Sequence, residues 1–273
     1  MTPIEGKSML LKRTPVVLAA ALSLLATAGP VAAAPAVTVH VTGDSTASTY
    51  TSALAPRAGW GQALPVFLTG GVVTANEALS GASSKSFVDL GRLDRILSKI
   101  KRGDYLLISF GHNDQKKEDP ARYTEPSTTY KAYLSQYVDR SRAKGAKPVL
   151  VTSVERRRFT STGAAAPSHG AYPAAMRELA AAKGVPLIDL TASSTALWNR
   201  AGVEGTKKYF LHLPAGSHPH YPDGVEDNTH FQAAGAIEVA RLVATALRDQ
   251  RVLPPGSFRH LTAPVPPSAI VWP

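Results

Sequence analysis

Apolar residues from position 37 onward follow two periodicities that take turns along the chain. Continuous or alternating apolar runs, which are typical of β-strands, occur at residues 37–41, 72–74, 105–110, 147–152 and 185–190. Apolar residues at helical spacing occur at residues 86–100, 127–144, 173–183, near Leu197 and at 232–248. Strands and helices that alternate in this way predict a parallel sheet covered by helices on both faces.

The helix predicted for residues 86–100 carries signals at both ends. Its apolar positions are spaced by three or four residues: Leu90, Leu93, Leu97 and Ile100. Ser86 followed by Asp89 resembles a capping box, and Gly103 lies just beyond the predicted end. The pattern therefore predicts one continuous helix.

The first 36 residues have the organisation of a secretory signal peptide. Lys7, Lys12 and Arg13 form a basic segment, an apolar run covers residues 16–28, and small residues follow it. An apolar run this short is poorly suited to a hydrocarbon core of ~30 Å. We therefore expect cleavage between Ala33 and Ala36, a secreted, extracellular protein, and no membrane insertion after cleavage.

Composition limits the remaining chain further. Residues 37–253 are predicted to form one domain, and residues 254–273, with six prolines, an irregular surface tail. The chain has no cysteine, which excludes disulfides, cysteine nucleophiles and thiolate metal ligands. Its formal net charge of +10 favours acidic partners. Nucleic acid fits poorly, because the chain is expected to be exported and no helix has a continuous basic face.

Four polar clusters follow apolar strands or precede the last helix, and they suggest catalysis. They are Gly43-Asp-Ser-Thr46, Asn76-Glu-Ala-Leu-Ser-Gly81, Gly111-His-Asn-Asp114 and Asp227-Asn-Thr-His230. Ligands of open α/β sheets bind outside the carboxyl ends of the strands. We expect the clusters to meet there.

The residue types in these clusters suit acyl transfer. A serine hydroxyl becomes a nucleophile when a histidine accepts its proton and an acidic residue orients the ring. We expect Ser45, at a strand-to-helix turn, to be the nucleophile. Asp227 and His230 are expected side by side on one turn at the entrance to a helix. The N–H groups of Ser45 and Gly81 and the side-chain amide of Asn113 are candidate donors to an oxyanion.

These four blocks resemble those of the SGNH (GDSL-type) hydrolases from about residue 39 to about residue 248. Thr46, Gly59-Trp-Gly-Gln62 and the Gly-His-Asn-Asp form are most similar to the rhamnogalacturonan acetylesterase branch. The resemblance implies a flavodoxin-like three-layer α/β/α sandwich with a parallel five-stranded sheet. It also implies deacetylation of plant cell-wall polysaccharide without metal or cofactor, with Ser45, Asp227 and His230 as triad and Gly81 and Asn113 completing the oxyanion hole.

Several polar residues have a structural and a functional interpretation. Arg156, Arg157 and Arg158 form either a solvated basic loop or a surface for the carboxylates of an acidic polysaccharide. His218 and His220, together with His212 and Asp223, suggest a metal site, but nearby prolines break helical ligand spacing, so we expect a substrate cleft instead. His112 is expected to make a structural hydrogen bond and Asp44 to stabilise a turn.

Three alternatives stay open at this point. An acetylxylan esterase would use the same mechanism, as would a lipase or thioesterase, although the Pro- and His-rich segment 211–223 does not favour an apolar acyl tunnel. A non-catalytic polysaccharide-binding protein would have no use for a nucleophile and a base. We expect a monomer.

Overall fold

Eight strands occur within the described part of the chain. The computed structural model describes residues 1–3, 6 and 37–273, so the predicted signal peptide lies almost wholly outside the described residues. The strands are β1 Val37–Gly43, β2 Arg57–Ala58, β3 Val72–Asn76, β4 Tyr105–Ser109, β5 Lys147–Val151, β6 Leu187–Ile188, β7 Phe210–Leu213 and β8 Val225–Gln232.

Helices connect most of these strands. They are α1 Trp60–Ala63, α2 Ser84–Asp89, α3 Arg92–Leu97, α4 Lys131–Ala143, α5 Tyr172–Lys183, α6 Leu190–Gly205 and α7 Ala233–Asp249. A π-helical turn, Pro126–Tyr130, leads into α4, so the helix expected from residue 127 begins irregularly. The helix expected near Leu197 is longer than predicted, with a kink at Gly202.

The central sheet has five parallel strands in the order β3-β1-β4-β5-β6. All five residues of β4 are buried, as expected for a central strand covered on both faces. The chain moves from β1 outward to β3, then crosses to β4 on the other side of β1. Such a reversal of strand order creates a crevice at the carboxyl ends of β1 and β4, where ligands bind in folds of this type.

Two apolar cores hold helices against the two faces of the sheet. On one face, Val41, Leu107 and Val149 pack with Trp60 of α1 and with α6 and α7. On the other face, the alternate residues Leu106, Ile108 and Leu150 pack with α2, α3, α4 and α5. The predicted three-layer α/β/α sandwich with a parallel five-stranded sheet is confirmed.

The helix predicted over residues 86–100 is wrong in its continuity and its start. Gly91 has a φ of 66°, in the left-handed region, and it separates α2 from α3. The capping box is formed by Ser83 and Ser86 rather than by Ser86 and Asp89. Leu90 is 58% exposed, so apolar spacing across the break did not correspond to one buried face.

A second sheet, which the sequence did not predict, lies beside the first. It is antiparallel, with the strand order β2-β8-β7. Phe210 of β7 pairs with Phe231 of β8, but the next residue of β7, Leu211, pairs with Asp227. Residues 228–230 of β8 therefore have no partner in β7 and bulge out of the ladder. We call residues 228–230 the β8 bulge.

The segment after α7 packs on the domain without regular strands. It contains two short 3-10 turns, Pro255–Ser257 and Pro267–Ala269. Ile270 is buried in the core, and the Trp272 indole N–H donates to the carbonyl of Arg57 at 3.0 Å. Residues 37–273 lie within one compact unit. Within the described residues, no helix is both long and apolar enough to cross a membrane.

Candidate active site

Ser45 lies in a tight turn directly after β1. The turn is closed by the N–H groups of Ala47 and Ser48, which donate to the carbonyl of Asp44. The expected strand-to-helix turn is wrong: the backbone continues irregularly, and the carbonyl of Thr46 accepts from the N–H of Trp60, outside the turn, rather than from a following helical residue. The buried carboxylate of Asp44 accepts hydrogen bonds from the N–H and hydroxyl of Thr46, at 2.9 and 2.8 Å. Asp44 therefore stabilises the turn, as predicted.

His230 connects Ser45 with Asp227. Its Nδ1 lies 2.6 Å from Oδ2 of Asp227, and its Nε2 lies 2.8 Å from Oγ of Ser45. Since a carboxylate only accepts hydrogen bonds, Nδ1 carries the proton and Nε2 is left to accept one from the serine hydroxyl. This arrangement allows His230 to act as a general base toward Ser45.

Asp227 and His230 come together through the β8 bulge and not on the first turn of a helix, as the sequence suggested. Oδ1 of Asp227 accepts hydrogen bonds from the N–H groups of Thr229 and His230, at 2.7 and 3.0 Å. The carboxylate thus folds the bulge around itself, while Oδ2 orients the imidazole. Helix α7 begins only at Ala233.

The carboxylate of Asp227 stays ionised. Burial by itself raises its pKa, but the hydrogen bonds and charge of His230, with the N–H of Thr229, outweigh burial and hold the pKa well below its usual range. An ionised carboxylate stabilises the imidazolium that forms when His230 takes up a proton.

The β8 bulge is fixed from outside by Asn228. Its carbonyl accepts from the N–H of Arg157 at 2.8 Å, and its Oδ1 is bonded by the guanidinium of Arg157 at 3.2 Å and the ring of His212 at 2.9 Å. Arg157 in turn donates to Thr206 and to the carbonyl of Val203. No local sequence pattern predicts this support, because it joins the segment after β5 with the end of α6, β7 and β8, which are distant in the chain.

The oxyanion-hole candidates border the Ser45 turn. Gly81 has a φ of 81°, which favours glycine, and the N–H of Leu79 donates to the carbonyl of Gly43. Nδ2 of Asn113 donates to the carbonyl of Ala82 at 2.9 Å, which uses one amide hydrogen and leaves the other. The Tyr50 hydroxyl, which sequence reasoning missed, donates to the Ser45 carbonyl at 2.7 Å.

Asp114, the last residue of the third polar block, is fully buried and supports this loop. Its carboxylate accepts from the N–H and hydroxyl of Ser84 and from the hydroxyl of Thr124. Burial nevertheless raises its pKa to about 7, because these hydrogen bonds only partly replace lost solvation. Asp114 therefore holds α2 and the segment around Thr124 together.

His112 differs from the expectation of a structural hydrogen bond. Its ring is buried, and neither ring nitrogen has a partner among the described residues. The ring instead packs edge-on against His169, with centroids 4.4 Å apart. Burial, followed by the positive charge of Arg156, lowers the pKa of His112 well below its usual value. Edge-on packing against His169 therefore helps to fix this side chain.

The three arginines predicted to contact substrate are in different surroundings. Arg156 donates to the carbonyls of Ser168 and His112, and Arg157 donates within the protein as described above. Arg158 is exposed. The internal bonds of Arg156 and Arg157 use donors that would otherwise be available to substrate, and substrate contact by any of the three arginines stays a prediction.

His218 and His220 lie in the loop between β7 and β8. The rings of the two histidines pack against each other, and His220 Nδ1 is 3.1 Å from the carbonyl of Ala55. The hydroxyl of Tyr221 donates to the carbonyl of Leu54. The loop thus rests on residues 54–55, and no group of three His, Cys, Asp or Glu residues that could hold a metal occurs in the described ranges. Substrate contact by His218 and His220 stays a prediction.

Comparison with known proteins agrees with the motifs. The GDSL-like Lipase/Acylhydrolase family matches residues 41–236. Rhamnogalacturonan acetylesterase RhgT of Bacillus subtilis (strain 168) is 47% identical over 211 residues, which cover 77% of this chain and 89% of that protein. The rhamnogalacturonan acetylesterase of Emericella nidulans is 26% identical over 223 residues, which cover 74% of this chain and 81% of that protein.

A solved structure is also similar in its fold. The crystal structure of the YxiM protein of Bacillus subtilis is 31% identical in sequence and superimposes with a TM-score of 0.66. The match covers 79% of this chain, which spans only 57% of the length of that one.

Proposed function

This chain belongs to the GDSL-like lipase/acylhydrolase family and is a carboxylic ester hydrolase, and we propose that it removes O-acetyl groups from plant cell-wall polysaccharide by a Ser-His-Asp mechanism. The resemblance predicted from the four motifs is confirmed at the level of the family. The observation that carries the proposal is the connected set Asp227–His230–Ser45, with contacts of 2.6 and 2.8 Å.

The acylation step follows from this geometry. The hydroxyl oxygen of Ser45 attacks the acetyl carbonyl while Nε2 of His230 accepts the hydroxyl proton. The N–H groups of Ser45 and Gly81 and the amide of Asn113 stabilise the oxyanion. His230 then donates its proton to the sugar oxygen, which leaves as a hydroxyl group and leaves acetyl-Ser45 behind.

Deacylation repeats these steps with water as the nucleophile. His230 accepts a proton from the water molecule as its oxygen attacks the acetyl carbonyl of acetyl-Ser45. Collapse of the second tetrahedral intermediate releases acetic acid and returns the proton to Ser45. Asp227 stays ionised and stabilises the imidazolium in both halves, which its lowered pKa supports.

We propose acetylated rhamnogalacturonan as the substrate. Two relatives that bear the name rhamnogalacturonan acetylesterase support this, one of them at 47% identity. A formal net charge of +10 also suits an acidic polymer. Secretion, with cleavage between Ala33 and Ala36, is part of the same proposal, since a polymer of the plant cell wall lies outside the cell.

Acetate release tests the proposal. The wild-type chain and Ser45→Ala are incubated in parallel with acetylated rhamnogalacturonan and acetylated xylan, and free acetate is measured. We expect release from rhamnogalacturonan by the wild type alone, with a rate that falls as salt screens the charges. Faster acetate release from acetylated xylan would agree with the proposed mechanism but would identify xylan, not rhamnogalacturonan, as the preferred substrate.

A further inference from the structure

A cavity of 340 Å³ opens beside the oxyanion-hole candidate Gly81. Its wall combines the Leu79–Ala82 loop with α2 and with the loop that carries Arg122. Gly81, which the family resemblance assigns to the oxyanion hole, thus also contributes to the wall of this cavity. The N–H of Leu79, in the same loop, donates to the carbonyl of Gly43, two residues before Ser45, so this loop connects the cavity wall with the Ser45 turn.

Arg122 lies against Gly81. A Cβ atom placed on Gly81 would be 3.9 Å from Cζ and 3.9 Å from both terminal nitrogens of Arg122. Cζ and the two terminal nitrogens lie in the plane of the guanidinium, and a point equally far from all three lies above that plane. Gly81 is therefore placed over the flat face of the guanidinium. The edge of the group, where its N–H bonds point, is therefore not covered by Gly81.

The donors of Arg122 are only partly used. Nε is paired with Oδ2 of Asp119 at 3.0 Å, and the other oxygen of Asp119 accepts from the N–H of Ala121. Within residues 37–273, neither terminal nitrogen of Arg122 has a hydrogen-bond acceptor. Asp119 thus fixes the guanidinium from one side and leaves the two terminal nitrogens, which form a fork that matches a carboxylate.

Four other cations are less suited to this role: Lys85, Arg57, Arg156 and Arg157. Lys85 also lines the cavity, but its ammonium is paired with Asp89. The donors of Arg156 and Arg157 are used on carbonyls and side chains of the protein. The guanidinium of Arg57 lies over the Tyr50 ring, 4.5 Å from its centre, and Arg57 does not line this cavity.

We propose that Arg122 binds the carboxylate of a uronic acid residue in the substrate and so determines the preference for acidic acetylated polysaccharide. The inference rests on the proposed function, because it assigns a substrate group to a cavity beside the same catalytic site. The two terminal N–H groups bind the two carboxylate oxygens in parallel. A neutral sugar offers no such acceptor, so Arg122 distinguishes acidic from neutral polymers without taking part in the chemistry.

The test compares matched substrates and matched variants of the full chain. The substrates are one acetylated rhamnogalacturonan oligosaccharide with its carboxyl groups free or methyl-esterified, acetylated xylan, and p-nitrophenyl acetate. The variants are Arg122→Gln, Arg122→Lys and Arg57→Gln, with Arg102→Gln as control. Arg102 is exposed and precedes β4, at the amino end of that strand, whereas the Ser45 turn follows the carboxyl end of β1. Its loss therefore changes the net charge by the same amount but at the other end of the parallel strands.

The expected result is a selective loss. Arg122→Gln raises KM for the free-acid oligosaccharide about 10- to 100-fold, as expected for charge-assisted hydrogen bonds, with little change in kcat. Arg122→Lys keeps the charge but not the fork, so its loss is smaller. Activity on p-nitrophenyl acetate, on the methyl ester and on xylan stays near wild type, and Arg102→Gln matches wild type throughout.

Four outcomes overturn the inference. An equal loss on all substrates means that Arg122 only supports the Gly81 loop, and no loss on the free acid means that it does not contact the carboxylate. If Arg57→Gln loses the preference for the free-acid oligosaccharide and Arg122→Gln keeps it, Arg57 and not Arg122 binds the carboxylate. A wild-type enzyme that releases acetate from xylan but not from rhamnogalacturonan overturns the proposed substrate as well, which separates the two failures.

Discussion

Nε2 of His230 lies 2.8 Å from Oγ of Ser45, although 185 positions separate the two residues in the chain. The contact depends on two irregular pieces of backbone. Ser45 stands in the turn after β1, and His230 ends the β8 bulge, which Asp227 folds by accepting two N–H groups. The base and its orienting acid are therefore built as one local unit, and the central sheet positions the nucleophile against it.

Ser45→Ala is expected to abolish turnover without unfolding the protein. The variant loses the nucleophile but keeps the Asp44 bonds that close the turn. We expect kcat on p-nitrophenyl acetate to fall by about 10⁴-fold or more, as for other serine hydrolases that lose a triad member. Circular dichroism and thermal unfolding should match wild type. Activity within tenfold of wild type would rule out Ser45 as the nucleophile.

Asp227→Ala is expected to be less severe than Ser45→Ala, because Ser45 and the oxyanion hole persist. It removes both the partner of His230 Nδ1 and the acceptor of two N–H groups in the β8 bulge. Asp227→Asn, in contrast, can keep a bulge acceptor at Oδ1. We therefore expect kcat losses of about 10²- to 10⁴-fold for both, with lower thermal stability for Asp227→Ala alone. Equal unfolding midpoints for the two variants would contradict the structural role.

Asn113→Ala should lower kcat about 10²- to 10³-fold with little change in KM, since an oxyanion forms only in the transition state. The side chain also bonds the carbonyl of Ala82, so some stability is lost. Steady-state kinetics on p-nitrophenyl acetate, with a thermal unfolding curve for each enzyme, separate the two effects. A higher KM at unchanged kcat would show that Asn113 binds substrate and not the oxyanion.

Arg157→Ala is expected to loosen the β8 bulge, because the guanidinium bonds Asn228, Thr206 and the carbonyl of Val203. We expect kcat to fall about tenfold on both small and polymeric substrates, since misplaced catalytic groups affect every ester alike. Arg200→Ala, at an exposed position of α6, is the matched control and should match wild type. A loss confined to polymer would instead place Arg157 in contact with substrate.

The raised pKa of Asp114 predicts that the free energy of unfolding of the protein depends on pH. Burial raises its pKa from 3.8 to about 7, so the folded state favours the protonated acid. The associated stability is complete below about pH 4 and is lost as pH rises to about 7. Asp114→Asn cannot ionise, so the free energy of unfolding of wild type relative to this variant should decrease over that interval, by an amount on the order of a few kcal/mol. Urea unfolding of both proteins across the interval measures it, and parallel profiles would contradict the raised pKa.

Much of the architecture follows from the apolar pattern. Continuous apolar runs such as Tyr105–Ser109 are buried central strands, and the amphipathic run after Gln232 is α7. The four polar blocks could also be assigned to one edge, because parallel strands present their carboxyl ends together. The polar blocks alone therefore predict that Ser45, Asp227 and His230 lie together.

The parts of the fold and of the site that the sequence does not predict depend on contacts that apolar spacing does not encode. One residue, Gly91, divides an otherwise regular helical pattern through its left-handed backbone. The β8 bulge arises from a polar side chain folding its own backbone, so the spacing of Asp227 and His230 suggested a helical turn. Arg122 and Arg157 are far in sequence from the glycine and the bulge that they contact, and no local pattern distinguishes them from other surface arginines.

Covalent labelling of Ser45 is the most direct test of the account. The full chain is treated with a fluorophosphonate, digested, and the modified residue is located by mass spectrometry. Wild type is expected to carry the adduct on Ser45, His230→Ala to react far more slowly, and Ser45→Ala to remain unlabelled. An enzyme that releases acetate but carries the adduct elsewhere would contradict the assigned nucleophile, and a chain that neither reacts nor releases acetate would be a binding protein rather than an esterase.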